Sequence, residues 1–229
     1  TGNYNASTAK LYTDLGYFTC NDEIAEDVSR LFNRLTGYAP ATTYNRLLVA
    51  PDYMRDTQLQ LIDNEIDAAL AGQDARIILK MNQLEEDEII RKLYQASRAG
   101  VRVDMVIRGF SCLRPGVPGL SENIHITSVL GRYLEHSRIY HFQNAPTGQR
   151  IYCGSADLMR RNLLNRVETL FPVTDERLQT RLLRLLYTNL ADNVGAWDMQ
   201  PDGSYIQRQP GAGEAIVDSQ IIYAEDSFG

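Results

Sequence analysis

The sequence has only three cysteines, and none of them has the spacing of a metal site. Cys20, Cys112 and Cys153 lie far apart in the 229-residue chain. A zinc site is typically built from closely spaced cysteines, and a disulfide framework from an even number of them. Neither kind of site is expected here. We expect the cysteines to be reduced thiols in an intracellular protein.

Long apolar runs and an excess of positive charge are also missing. No apolar stretch approaches the ~20 residues that a membrane-spanning helix needs, and the N-terminus lacks a signal pattern. The net charge is −6, which provides no overall basic surface for nucleic acid. We expect a cytoplasmic protein without a nucleic-acid partner, although arginines gathered in one cleft can still bind an anion.

What the sequence does have is an alternation of strand-like and helix-like segments, which is typical of an α/β sheet flanked by helices. Apolar periodicity predicts helices over residues 21–35, 55–71, 85–100 and 175–193. Strands are predicted at residues 46–51, 76–82, 101–109, 124–129, 137–142, 150–155 and 167–173. Residues 37–46 resemble a linker, and the polar stretch after Trp197 is expected to stay outside the core.

A glycine-rich loop follows the strand that ends near Arg108. The string RGFSCLRPGVPGLSENI carries this arginine with several glycines and prolines. In open α/β sheets, ligands bind beyond the carboxyl ends of strands. An arginine beside accessible backbone N–H groups is a phosphate-binding arrangement there. The alternative is a surface turn in which Arg108 pairs with a carboxylate.

A second candidate is His136, which stands two residues before Arg138 and precedes the string GSADLMRRN. A histidine that titrates near neutral pH can act as a nucleophile or a general acid toward phosphorus. The hydroxyl of Ser155 and the amide of Asn162 are candidates to hold phosphoryl oxygens or to orient the imidazole. The alternative is a structural histidine, as expected for His125 and for His141, which lies inside a predicted strand.

The first residues, TGNYN, resemble GSADLMRRN in kind, with a small residue, a polar residue and an asparagine. Two such strings suggest a duplicated site, of which only the second copy is complete. We therefore expect that the chain begins inside a longer protein. Tyr12, in LYTD, is a candidate to stack on a base or to reach a phosphate, with a tyrosine at the core rim as the alternative.

Four strings, TGNYNASTAKLYTD, RGFSCLRPGVPGLSENI, GRYLEHSRIY and GSADLMRRN, occur in this order. Together they resemble the carboxyl-terminal half of bacterial polyphosphate kinase over nearly all of residues 1–200. The resemblance implies a phospholipase D-like α/β fold, a mixed sheet flanked by helices, in which two lobes each give one histidine to a shared site. The chain would hold the end of a first lobe (residues 1–40), a complete second lobe (41–200) and a C-terminal tail (201–229).

The same resemblance implies a function. Polyphosphate kinases transfer the terminal phosphate of ATP reversibly to inorganic polyphosphate, through a phosphohistidine and with Mg²⁺. The partners implied are ATP, ADP, polyphosphate and further copies of the chain in a dimer or tetramer, with peripheral membrane association left open. No metal ligand is expected in this chain, because the metal-linked arginines of the family lie upstream of TGNYN.

Carried over by motif, Tyr12, Arg108 and His136 match the nucleotide-binding positions of the family. His136 is then the assisting histidine, because the phosphorylated one belongs to an upstream His-x-Lys motif that this sequence lacks. Further phosphate contacts are expected from a second set of polar side chains: Arg138, Ser155, Asn162, Arg166 and Lys80.

Two other functions stay open from the residues alone. The first is a phospholipase D-like phosphodiesterase or nuclease, although Arg138 replaces the lysine of that pattern and Gln143 stands where an aspartate is expected. Asp157 falls too late in the sequence to replace it. The second is a non-catalytic assembly module that uses helix 175–193, with Leu182 and Leu186, as its partner face.

Overall fold

The computed structural model describes residue 2, residues 4–37 and residues 43–226. Parts of the TGNYN string, of the predicted linker and of the tail therefore lie outside the described residues. Within the described ranges, no helix combines the length and the hydropathy needed to cross a membrane.

The chain alternates strands and helices much as the periodicity predicts. The strands are β1 (Tyr12–Thr13), β2 (Leu48–Ala50), β3 (Arg76–Met81), β4 (Arg102–Ile107), β5 (Ile124–Val129), β6 (Leu134–Glu135), β7 (Arg138–Phe142), β8 (Ile151–Gly154), β9 (Glu168–Pro172), β10 (Ala196–Met199) and β11 (Tyr205–Gln207). The helices are α1 (Asp22–Leu35), α2 (Met54–Leu70), α3 (Asp87–Arg98), α4 (Arg160–Asn165), α5 (Glu176–Ala191) and α6 (Ser219–Asp226).

Nine of these strands form one mixed sheet in the order β11-β10-β5-β4-β3-β7-β8-β9-β2. Strands β3, β4 and β5 are parallel, whereas β7, β8, β9 and β2 continue the sheet antiparallel on one side and β10 and β11 on the other. The predicted α/β class, with a mixed sheet flanked by helices, is confirmed.

The two faces of the sheet are covered by different helices, because successive side chains of a strand point to opposite faces. Ile77 and Leu79 of β3 belong to the main core, together with residues of α2 and α3. Ile78 faces the other way and packs in a cluster with Leu186 and Leu182 of α5. Helices α2 and α3 therefore cover one face, and α5 covers the other.

The segment after Trp197 differs from the sequence expectation. It adds β11 to the edge of the sheet and α6 to the helical layer, and Ser219 is fully buried. Polar contacts hold it: Arg208 donates to Asp198 at 2.6 Å and to the backbone carbonyl of Leu190 at 2.6 Å. The polar composition did not indicate this packing, because the segment is attached more by hydrogen bonds and ion pairs than by apolar side chains.

A buried carboxylate links helix α1 to the segment that leads into β2. Asn21 caps the helix by accepting from the backbone N–H of Ile24 at 3.0 Å. Asp27, which is fully buried, accepts from the backbone N–H groups of residues 45, 46 and 47 at 2.8, 2.6 and 3.0 Å. The carboxylate therefore fixes the chain as it enters β2.

We expect Asp27→Ala to lower the free energy of unfolding by about 3 kcal/mol, because it leaves backbone donors without their charged acceptor. Urea unfolding followed by circular dichroism measures this. The neighbouring variant Glu26→Ala is the control, since it removes only an exposed pair with Arg30 and should cost about 0.5 kcal/mol or less. Equal losses in the two variants would contradict the role given to Asp27.

Candidate functional site

The candidate site lies on the side of the sheet where several strands begin or end. We call this line of strand ends an edge of the sheet, as distinct from an outer strand. Arg108 follows the carboxyl end of β4, which runs parallel to β3. Strand β7 runs antiparallel to β3 and begins with Arg138, which pairs in register with Gly154 at the end of β8. This topology brings the loops after residues 107 and 154 and the loop before residue 138 to the same edge, as expected for a ligand site in an α/β sheet.

The N-terminal segment completes this edge. Strand β1 pairs in parallel with β6, with Tyr12 opposite Leu134. The ring of Tyr12 meets the imidazole of His136 edge-to-face, with centroids 4.9 Å apart. The guanidinium carbon of Arg108 lies 5.8 Å from the Tyr12 ring centroid. The three residues matched by motif are therefore neighbours in space, although 124 positions separate the first from the last in the sequence.

The imidazole of His136 is held at both nitrogens. Its Nδ1 lies 2.8 Å from the Oδ2 of Asp14, and its Nε2 lies 3.0 Å from the Nη1 of Arg138. Arginine only donates hydrogen bonds, so Nε2 accepts and the proton of the neutral ring belongs on Nδ1, toward the carboxylate. Asp14 stands only two residues after Tyr12, but nothing in the sequence around it marks it as a partner of His136.

Arg138 is itself fixed by a buried carboxylate. Its Nε and Nη2 donate to Asp157 at 3.2 Å each, and the backbone N–H of Asn82 donates to the same carboxylate at 2.8 Å. Oriented with its oxygen toward Arg138, the side-chain amide of Asn82 accepts from the same guanidinium and donates to the carbonyl of Glu135 at 3.0 Å. Arg138 thus serves to hold the His136 ring in this arrangement.

Two sequence interpretations change with this geometry. Asp157 was set aside as falling too late in the sequence, yet it supplies the carboxylate that pairs with Arg138. Gln143 stands where the phospholipase D pattern has an aspartate, and it donates to Asp74 at 2.9 Å instead of facing His136. Spacing along the sequence did not reveal this ion pair, because the pairing of β7 with β8 brings Asp157 next to Arg138.

Lys80 is not a surface contact for phosphate. It is 1% exposed, and its Nζ lies 2.8 Å from the carboxylate of Glu135. Burial on its own would raise the pKa of Glu135, but the ammonium of Lys80 and hydrogen bonds from Gln220 and Thr13 lower this pKa below its ordinary value. The expectation that Lys80 lines a phosphate path was wrong, because the strand points this lysine into a buried ion pair.

Ser155 directly follows β8 at the same edge, beside the neighbouring strand β9. Its hydroxyl accepts from the backbone N–H of Thr169 at 3.2 Å, and its own N–H donates to the carbonyl of Thr169 at 3.0 Å. The preceding residue must be glycine, since a Cβ on Gly154 would lie 2.0 Å from that carbonyl oxygen. The side chain of Ser155 remains exposed, so it stays a proposed phosphate contact.

Asn162 and Arg166 have different surroundings. Asn162 is buried in α4 and donates to the carboxylate of Glu168 at 2.9 Å, so its amide is engaged within the protein. Arg166 follows the end of α4 and is exposed. Of the two, Arg166 is the one that remains a proposed phosphate contact.

Arg108 has the electrostatic character of an anion-binding residue. Its Nη1 is buried and has no hydrogen-bond partner among the described residues. Buried donors are nearly always satisfied, so an unpaired guanidinium nitrogen beside the Tyr12 ring suits a phosphate oxygen. The alternative of a surface turn paired with a carboxylate has no supporting ion pair in the described part of the chain.

The other two histidines lie away from this edge. His125 is 63% exposed and stands 3.7 Å from Asp104, near the beginnings of β4 and β5. His141 is buried inside β7, where burial, together with Arg76 and Arg150, lowers its pKa to about 4. Neither has the partners that surround His136.

Comparison with known proteins gives consistent matches. The family model described as polyphosphate kinase C-terminal domain 2 matches residues 47–220, and the model for C-terminal domain 1 matches residues 1–41. A polyphosphate kinase of Thermosynechococcus vestitus is 55% identical over 215 residues, which is 94% of this chain and 29% of that protein.

The chain belongs to the polyphosphate kinase family. It spans less than a third of the length of this curated relative. The crystal structure of polyphosphate kinase from Porphyromonas gingivalis superposes with a TM-score of 0.91 at 36% identity, covering 100% of this chain and 35% of that chain.

The phospholipase D-like fold is also confirmed. Nuc of Salmonella typhimurium, a phospholipase D family member, superposes with a TM-score of 0.50 at 14% identity and covers 68% of this chain and 97% of that one. This similarity concerns the fold alone. The phosphodiesterase alternative therefore has no support beyond the shared architecture, whereas the polyphosphate kinase family matches both sequence and structure.

The alternative of an assembly module placed its partner-binding face on Leu182 and Leu186 of α5, and this assignment is wrong. Leu186 is fully buried and Leu182 is partly buried, and both pack on the sheet beside Ile78 and Ile139. Leu182 and Leu186 therefore pack within their own chain and are not the partner face that was expected.

The hydrogen bonds of His136 predict which nitrogen carries the proton in this family member. We expect Nδ1 to be protonated in the neutral ring, and we expect Asp14→Ala to lower the share of this tautomer only in part, because the acceptor at Nδ1 is lost while Arg138 still donates to Nε2. Nitrogen chemical shifts of the ring, measured by NMR, report the tautomer. Asp22→Ala, an exposed aspartate in the first turn of α1, is the control. Identical ring shifts in wild type and Asp14→Ala would contradict the assignment.

Proposed function

We propose that this chain is the nucleotide- and polyphosphate-binding part of a polyphosphate kinase, which transfers the terminal phosphate of ATP reversibly to inorganic polyphosphate through a phosphohistidine. One observation carries the proposal. An aromatic ring, an unpaired guanidinium nitrogen and an oriented histidine meet at the carboxyl edge of the sheet, in Tyr12, Arg108 and His136.

Phosphoryl transfer depends on positioning and on positive charge that meets the phosphoryl oxygens. In the proposed site the ring of Tyr12 packs against the nucleotide, and the open Nη1 of Arg108 donates to a phosphate oxygen. The exposed side chains of Ser155 and Arg166 are proposed as further contacts for the phosphate chain. The acidic net charge of the protein does not oppose this, because local charge governs the site.

His136 is proposed as the assisting histidine. When its ring is protonated, Nε2 becomes a donor that can hold a phosphoryl oxygen or protonate the leaving oxygen. Asp14 then stabilises the imidazolium through Nδ1, and Arg138 turns its Nη1 from the ring toward the phosphate. The contacts of Arg138 with Asp157 keep its guanidinium within reach throughout.

The phosphorylated histidine is proposed to lie outside this sequence, in an upstream His-x-Lys motif. The histidines of this chain support that view: His125 lies at the opposite edge of the sheet, and His141 is buried in β7. We also propose the division into the end of a first lobe (residues 1–40), a second lobe (41–200) and residues 201–229. Family models that match on either side of residues 42–46 support its first boundary.

Mg²⁺ is proposed to enter as part of the Mg·ATP substrate. The described residues contain no group of three or more histidine, cysteine, aspartate or glutamate side chains that fits a metal ion. Mg²⁺ is commonly held by substrate phosphates with few protein ligands. A homodimer or homotetramer, a cytoplasmic location and peripheral membrane association are also proposals, and they rest on the resemblance to the family.

A graft experiment tests the function. This chain replaces the matching part of the Thermosynechococcus vestitus relative, and polyphosphate synthesis is measured with ATP radiolabelled on the γ-phosphate. We expect the graft to form an acid-labile phosphoenzyme and polyphosphate, whereas the 229-residue chain alone takes up no acid-labile label. The graft carrying His136→Ala should lose polyphosphate synthesis, and the graft carrying His125→Ala should retain it. Activity that survives His136→Ala would remove this residue from the mechanism.

Arg108→Ala should weaken binding of Mg·ADP by more than about tenfold, because a hydrogen bond from a charged donor to phosphate contributes roughly 1.5–3 kcal/mol. Isothermal titration calorimetry on the 229-residue chain measures the dissociation constant. Arg102→Ala is the matched control, since Arg102 begins the same strand and pairs with Asp104 at the opposite edge. Unchanged affinity in Arg108→Ala would exclude this arginine from the nucleotide site.

A further inference from the structure

The segment that leads into His136 is bound by a side chain from the far end of the chain. The side-chain amide of Gln220 binds both backbone polar groups of Tyr133: its Oε1 accepts from the N–H at 2.9 Å, and its Nε2 donates to the carbonyl at 2.8 Å. The same Nε2 donates to the carboxylate of Glu135 at 2.9 Å. All three hydrogen bonds fall on residues that lie one to three positions before His136.

The approach between this amide and the loop is close. Gln220 is buried, and a Cβ on Gly131 would lie 2.5 Å from its Oε1. A glutamine amide has one acceptor oxygen and two donor hydrogens. Here both ends of the amide are engaged with the loop at once, so the contact fixes the position of the loop and not merely its distance from α6.

Helix α6 is itself firmly attached at the residue next to Gln220. The backbone N–H and the hydroxyl of Ser219 donate to the buried carboxylate of Asp192 at 2.9 and 2.7 Å. Asn193, which follows α5, binds the segment just before α6: it accepts from the N–H of Val217 at 2.8 Å and donates to the carbonyl of Ala215 at 2.9 Å. Gln220 is therefore presented from a fixed point at the end of α5.

We propose that Gln220 is a positioning residue for phosphoryl transfer: it holds residues 131–135, the segment that includes β6, so that His136 reaches the phosphate between Asp14 and Arg138. This role rests on the function proposed above. Gln220 touches no reacting atom, and it acts through the backbone of Tyr133 and the carboxylate of Glu135. The C-terminal segment thereby becomes part of the catalytic apparatus.

A misplaced catalytic group lowers the rate of the chemical step far more than it lowers substrate binding. Tyr12 and Arg108 do not hydrogen-bond with Gln220, so the affinity for nucleotide should be largely preserved when Gln220 changes. The expected signature is a fall in kcat of about tenfold with a KM for ATP that stays within about twofold of wild type.

The test uses the graft described above and compares Gln220→Met, which keeps the volume but loses the hydrogen bonds, with Gln207→Ala. Gln207 also lies in the C-terminal segment, where it donates to the carbonyl of Val194 at 3.1 Å, away from His136. We expect kcat to fall in Gln220→Met and to stay unchanged in Gln207→Ala. In the 229-residue chain, the ring nitrogen shifts of His136 should move only in Gln220→Met.

The outcomes separate the two proposals. An inactive wild-type graft would overturn the proposed function. An active wild-type graft in which Gln220→Met keeps its kcat, and keeps the His136 ring shifts of wild type, would overturn only the positioning role. If Gln220→Met fails to fold, Gln220→Asn is measured by the same criteria, since it keeps a neutral amide but its shorter side chain no longer reaches Tyr133 and Glu135 together.

Discussion

The buried ion pair between Lys80 and Glu135 is the interaction on which the candidate site depends. Placing two charges out of water is costly, and the cost is offset only when the geometry is good and the remaining hydrogen-bonding groups are satisfied. Here the Nζ of Lys80 lies 2.8 Å from Glu135, and the carboxylate also accepts from Thr13 at 3.1 Å and from Gln220 at 2.9 Å. Removing Lys80 would leave the carboxylate in the interior without its counter-charge, and removing Thr13 or Gln220 would leave it with one hydrogen bond fewer.

This pair also explains how distant segments come to share one site. Thr13 belongs to the N-terminal strand, Lys80 to the centre of the sheet and Gln220 to the C-terminal helix, and all three meet at the residue before His136. The ion pair and hydrogen bonds of this one carboxylate therefore connect the three segments. The position of His136 is therefore a property of the whole described chain and not of its own loop.

Much of this arrangement could be predicted from the sequence, and the remainder could not for a physical reason. Periodicity located the strands and helices of the sheet, and motif resemblance singled out Tyr12, Arg108 and His136, whose contacts the structure then revealed. Asp14 was overlooked and Asp157 was set aside because their partners are set by strand pairing, which linear spacing does not encode. Lys80 was misjudged because a lysine in a strand pattern gives no sign of which face it occupies.

The charges at the edge of the sheet show how an acidic protein can present a site for a polyanion. Carboxylates near the edge each face a basic partner: Asp14 with His136, Glu135 with Lys80, and Asp157 with Arg138. Paired in this way, they repel an approaching anion far less than isolated carboxylates would. Arg108 keeps a buried nitrogen without a partner among the described residues. The surplus positive charge is thus concentrated at the point where we propose that phosphate binds, while the net charge of −6 is carried elsewhere.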